Sequence, residues 1–88
     1  MKNKLKYIID YYGIEKQLIV AIEEMSELTK ELCKIQRYGK ITGNTIPEIA
    51  DVENCLEELK IIFDISQNEI DYWKENKVMR QLERIQNE

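Results

Sequence analysis

Two groups of carboxylates are the residues of this chain best placed to do chemistry. "EEMSE", residues 23–27, puts Glu23, Glu24 and Glu27 within five positions. "EIAD", residues 48–51, follows after twenty residues and supplies Glu48 and Asp51. On a helix, residues at i and i+3 share a face, so each group can direct a pair of carboxylates to one point. Two such pairs on facing helices place four oxygen-ligand side chains around a common centre. The chain has no histidine, and Cys33 and Cys55 are not in metal-ligand spacing, which argues against a zinc site of the Cys/His kind. Hard oxygen donors favour Mg²⁺, with Mn²⁺ as its substitute. Such ions keep waters and bind phosphate oxygens, so the pattern points to polyphosphate chemistry with an activated water.

Those carboxylates need rigid elements to hold them. One proline and three glycines leave long uninterrupted stretches, which favours helix over a turn-rich β fold. Apolar residues Leu5, Ile8, Ile9 and Tyr12 have helical spacing, so the first helix spans Lys2–Tyr12 and stops at Gly13. A long second helix runs Ile14–Tyr38 and ends at Gly39. "GKITGNT", residues 39–45, reads as a loop, and a third helix follows from Thr45 to about Phe63. Ser66 opens a fourth, with Glu69 three residues on as in a capping box, and it runs to near Ile85. The expected fold is an all-α, antiparallel four-helix bundle, one domain over residues 1–88.

At about 100° per residue the helical faces can be laid out. Leu18, Ala21, Ile22, Met25, Leu28, Leu32 and Ile35 form one arc of the second helix, and Glu24 borders it. Glu27 and Glu31 lie further round, and Glu23 is on the far side. On the third helix the apolar arc is Ile49, Val52, Cys55, Leu56, Leu59, Ile62 and Phe63. Glu48 falls inside that arc and Asp51 on its flank. A core-facing carboxylate costs several kcal/mol of desolvation unless it is paired or bound to a cation. Glu48 also stands three residues after Thr45, where it would complete a capping box, and Glu23, Glu24 and Glu27 would equally suit a solvated face.

"EEMSE" followed by "EIAD" resembles the E-E-x-x-E, E-x-x-D signature of the MazG-like, all-α nucleoside triphosphate pyrophosphohydrolases. The resemblance covers the chain from about Gln17 to Ile85. The tail "EIDYWKENKVMRQLERI" is similar to the ending of small phage-like and Firmicute-like members. The resemblance implies hydrolysis of a nucleoside triphosphate to a monophosphate and pyrophosphate with Mg²⁺. It implies a homodimer or homotetramer whose subunits together form the sites. It carries metal binding to Glu24, Glu27, Glu48 and Asp51, and on this reading Glu24 or Glu27 orients or deprotonates the attacking water. A phosphoribosyl-ATP pyrophosphatase-like enzyme is a related reading, and a non-catalytic helical interaction module is the alternative of a different class.

Trp73, Lys77, Arg80 and Arg84 are spaced i, i+4, i+7, i+11 and lie along one side of the fourth helix. Lys77 and Arg80 suit the β- and γ-phosphates opposite a metal, or a solvated flank pairing with glutamates. Trp73 suits base stacking or helix packing, and Asn54, one turn after Asp51, suits a hydrogen bond to base, sugar or a ligand carboxylate. The expected substrate-binding residues are therefore Lys77, Arg80, Asn54 and Trp73.

The remaining composition bounds the partners. The net charge is −4, which argues against a nucleic-acid backbone binder. Apolar runs are only a few residues long, so no membrane span is expected. Asp10 breaks the apolar part of the N-terminus, which argues against a signal peptide, and the two cysteines read as reduced packing residues in a cytoplasm. A small chain with wide apolar faces is expected to self-associate.

Register poses a problem. Glu27 precedes Tyr38 by roughly 16 Å of helix, whereas Glu48 lies within a turn of the loop. Seven loop residues span up to about 24 Å. Either the loop folds back along the second helix, or that helix ends early, or the pairs meet across subunits.

Overall fold

The computed structural model describes residues 1–88 and is all-helical. α1 spans Lys2–Tyr12, α2 Ile14–Tyr38, α3 Thr45–Ile62 and α4 Gln67–Gln86. The α2 and α3 helices form the principal hairpin, and α1 packs against both. Leu5 and Ile9, one turn apart on α1, are buried in that contact. Each contributes about 2 kcal/mol by leaving water. No helix is long and apolar enough to cross a membrane.

The helix ends follow from local chemistry. Gly39 caps α2 in the left-handed region (φ 76°), and its N–H bonds the Ile35 carbonyl at 2.7 Å. Only glycine enters that region without steric cost. Pro47 sits in the first turn of α3, where backbone N–H groups have no intrahelical partner, so its missing N–H loses nothing. Asp64 closes α3 at φ 53°. The Ile65 N–H reaches the Lys60 carbonyl at 2.9 Å and the Asp64 N–H reaches Ile61 at 3.4 Å, which together make a Schellman motif. Ser66 caps α4 by accepting from the Glu69 N–H at 3.1 Å.

The register problem is solved by the loop. α2 runs its full length to Tyr38, and residues 39–44 then fold back along it. Glu31, buried two turns before the end of α2, accepts hydrogen bonds from the Thr42 hydroxyl and, at 3.5 Å, from the Thr45 hydroxyl. Lys34 pairs with it at 3.0 Å. These donors hold the Glu31 carboxyl below its ordinary range, the Thr42 hydroxyl most, then Lys34. The return brings the start of α3 level with the middle of α2.

The faces divide differently from the single apolar arc expected for α2. Gln17, Ala21 and Glu31 are buried and Glu24, Leu28 and Ile35 are half-buried, whereas Ile22 and Leu32 are 66% and 56% exposed. On α3, Cys55 and Glu58 are buried while Ile49 and Leu56, and Phe63 just past its end, are exposed. The α2–α3 seam is thus lined with polar groups at seven-residue spacing, Gln17, Glu24 and Glu31, with Ala21 and Leu28 between them and Ile35 beyond. Each polar residue has its counterpart on α3 or the loop. Several large apolar side chains, Ile19, Ile22, Leu32, Ile49 and Leu56 among them, are exposed instead. Only Leu5, Ile9, Ala21 and Cys55 form a buried apolar core, and α4 has no buried residue at all. Cys33 is exposed, so the packing role expected of both cysteines holds for Cys55 alone.

Candidate metal centre

Three carboxylates meet in the middle of the seam. Glu24 from α2 and Glu48 and Asp51 from α3 each offer an oxygen, and these atoms lie within 4.8 Å of one another. The antiparallel hairpin sets Glu24 opposite the first turn and a half of α3, where the i, i+3 spacing of Glu48 and Asp51 points both at it. Glu24 Oε2 and Glu48 Oε2 are shut off from water and have no hydrogen-bond partner. An orphaned buried acceptor is unfavourable, and two facing each other are worse. Burial pushes the Glu24 carboxyl up to about 7 from an ordinary 4.5. Next come the neighbouring Asp51 carboxylate, which can accept from Glu24 only when Glu24 is protonated, and the Asp51 and Glu48 charges.

The capping box considered for Glu48 does not form. Thr45 is the first residue of α3, and its hydroxyl accepts from the Thr42 N–H at 3.0 Å and faces Glu31. The Glu48 carboxylate is left free to turn into the cluster.

The cluster's donor set fits a hard divalent cation. All its oxygens are carboxylate oxygens, no nitrogen or sulfur ligand stands among them, and two are buried and unpartnered. A cation satisfies the orphaned oxygens and removes their mutual repulsion at once.

The other residues singled out in the sequence are placed as follows. Glu27 lies one turn beyond Glu24, outside the trio, and its carboxylate pairs with Lys30 at 3.2 Å on the exposed surface. Asn54 lines a pocket of about 170 Å³ that opens beside the cluster, together with Gln17, Val20, Glu24, Asp51, Cys55 and Glu58. Trp73, Lys77 and Arg80 do not line it; they are exposed on α4, where the Lys77 ammonium sits 6.0 Å from the Trp73 ring centre. Three residues of the seam were not singled out as functional: Gln17, Glu31 and Glu58. The signal for Gln17 and Glu31 was the seven-residue recurrence of polar side chains in phase with Ala21, Leu28 and Ile35, and for Glu58 its seven-residue offset from Asp51. Cys55 lies against the same pocket, and burial, then the charges of Glu58, Glu24 and Asp51, push its thiol up, so it is an unreactive packing group.

A larger cleft, about 810 Å³, lies apart from the cluster, between the start of α1 and the α3–α4 turn. Lys2, Lys6, Lys60 and Asp64 are among its lining, and it holds no convergent carboxylates. Compared with known proteins, the chain matches no family model, no curated protein and no solved structure.

Proposed function

We propose that this chain is a Mg²⁺-dependent nucleoside triphosphate pyrophosphohydrolase of the MazG-like kind, releasing a monophosphate and pyrophosphate. The observation that carries the reading is the carboxylate trio Glu24, Glu48 and Asp51, with two buried oxygens that have no partner. Glu24, Glu48 and Asp51 would hold Mg²⁺, which when bound neutralises phosphate charge and lowers the pKa of a water. Glu27 stands one helical turn from Glu24 and is open to solvent. Its carboxylate takes the proton from the water that attacks the α-phosphorus. The bond from that phosphorus to the bridging oxygen breaks and pyrophosphate leaves.

Association is part of the same proposal. Leu32, Leu56 and Phe63 are 56%, 46% and 57% exposed, and no residue of α4 is buried within its own chain. An apolar surface of this extent on so small a chain favours a second copy, as a dimer or a dimer of dimers. A neighbour's Lys77 and Arg80 then supply the cationic side of the triphosphate site that the chain's own α4 leaves open.

The test is a panel of ribo- and deoxyribonucleoside triphosphates with Mg²⁺, scored for pyrophosphate against orthophosphate. Pyrophosphate release that stops on chelation and returns with Mg²⁺ or Mn²⁺ supports the reading. Orthophosphate release, or no turnover on any nucleotide, removes it.

A further inference from the structure

The α2–α3 seam carries a second buried polar group, two turns from the carboxylate trio. Gln17 precedes Glu24 by seven residues, and Glu58 follows Asp51 by seven. In an antiparallel hairpin these equal offsets set Gln17 opposite Glu58 and Glu24 opposite Asp51, with ~10 Å of helix between the two levels. Gln17 Nε2 donates to both Glu58 carboxylate oxygens, at 3.1 and 3.0 Å, and both residues are buried. The pocket of about 170 Å³ joins the two levels, touching Glu24 and Asp51 at one end and Gln17 and Glu58 at the other. That is less than a whole small-molecule site occupies, and suits one flat portion of a ligand.

The chemistry of this end is unbalanced. A buried carboxylate is normally matched by a cation, yet Glu58 makes no ion pair, and its one side-chain partner is a neutral amide. Each Glu58 oxygen keeps accepting capacity, and the Gln17 carbonyl oxygen adds another acceptor. One N–H of the Gln17 amide lies along the two Glu58 oxygens and its second N–H remains, so the carboxylate, not the amide, sets the polarity of this end. A ligand group placed against Glu58 must bring N–H donors of its own. A carbonyl in the same place would set oxygen against oxygen.

We propose that Gln17 and Glu58 form the base-reading end of the nucleotide site, and that Glu58 selects bases bearing an exocyclic amino group over those with a carbonyl there. The inference rests on the triphosphate reading of the carboxylate trio. The ribose spans the two turns between phosphates held at Glu24, Glu48 and Asp51 and the base at Glu58. The amino N–H donates to the Glu58 carboxylate. Asn54, between the two levels on the pocket wall, is within the stretch the sugar crosses.

The experiment compares kcat/KM for pairs that differ in this group: dCTP against dUTP, and dATP against deoxyinosine triphosphate. The wild-type chain should favour the amino partner of each pair by about 100-fold, because a site built to receive a donor rejects its isostere strongly. Glu58→Gln can present an N–H to a carbonyl, so it should shrink the preference at least about tenfold while helicity is unchanged. Equal use of both partners, or a preference for the carbonyl base, overturns the proposal without touching the pyrophosphohydrolase reading. So does a Glu58→Gln loss that is the same for every nucleotide. Turnover of none of the four nucleotides overturns both. The wild-type comparison stands even if the variant fails to fold.

Discussion

Glu24, Glu48 and Asp51 are held together by the fold although their charges repel. Glu24 is the member that yields, its carboxyl pushed up to about 7 from 4.5. A raised folded-state value means that Glu24 supports stability fully below about 4.5, and that this support is lost as pH rises through about 7. Glu31 acts in the opposite sense: its lowered value supports stability above 4.5 and is lost on acidification. Metal-free protein should therefore weaken between about pH 5 and 7.5, and Mg²⁺ should flatten that limb by binding the ionised cluster. Thermal melts at fixed ionic strength, with and without Mg²⁺, check this; a metal-free Tm that rises steadily across the same window contradicts it. Glu48→Gln should abolish turnover and leave the metal-free protein as stable or more stable, since it removes one buried charge from the cluster. Glu27→Gln separates ligand from proton acceptor. We expect kcat to fall by at least about 100-fold with Mn²⁺ affinity nearly unchanged, because Glu27 stands outside the trio. An equal loss of Mn²⁺ affinity in Glu27→Gln and Glu48→Gln would make Glu27 a ligand instead.

Helices place these groups, and their limits were largely legible because each rests on a local signal. Gly13 and Gly39 stop α1 and α2, and Ser66 with Glu69 starts α4. Asp64 is the exception, a non-glycine residue at φ 53° closing α3. Asp64→Gly should raise stability by about 1 kcal/mol by relieving that conformation. Chemical denaturation measures it, and a destabilised variant would mean that the Asp64 side chain holds the turn in another way. What periodicity could not supply was the direction of each face. Ile22, Leu32, Leu56 and Phe63 read as core because they are large and apolar, yet they lie outside their own chain's seam. Hydrophobic spacing marks a face to be covered and is silent on whether the cover comes from the same chain. Gln17, Glu31 and Glu58 failed to stand out for the converse reason. A polar side chain in a charged helix reads as solvated, and only the return of the loop, through Thr42 and Thr45 on Glu31, puts that face inside. Glu24, Glu48 and Asp51 were legible because their spacing encodes a shared point regardless of which partner the outer faces find.

At the scale of the molecule, four buried apolar residues are a small core for 88 residues, and the exposed apolar side chains of α2, α3 and α4 outnumber them. The chain should associate at micromolar concentration, and Leu32→Glu together with Leu56→Glu should shift it toward monomer in light scattering and lower its Tm. A fully active monomer in the same measurement would sink the shared-site part of the proposal. Mixing Glu48→Gln with Arg80→Ala subunits should restore part of the activity, because one intact site can draw its carboxylates from one chain and Arg80 from the other. The most direct test of the account is to run the reaction with Mg²⁺ in ¹⁸O-labelled water and follow the label. If the carboxylate trio directs water to the α-phosphorus, one ¹⁸O appears in the nucleoside monophosphate and the pyrophosphate stays unlabelled. Label in pyrophosphate, release of orthophosphate, or no product from any nucleotide would contradict it.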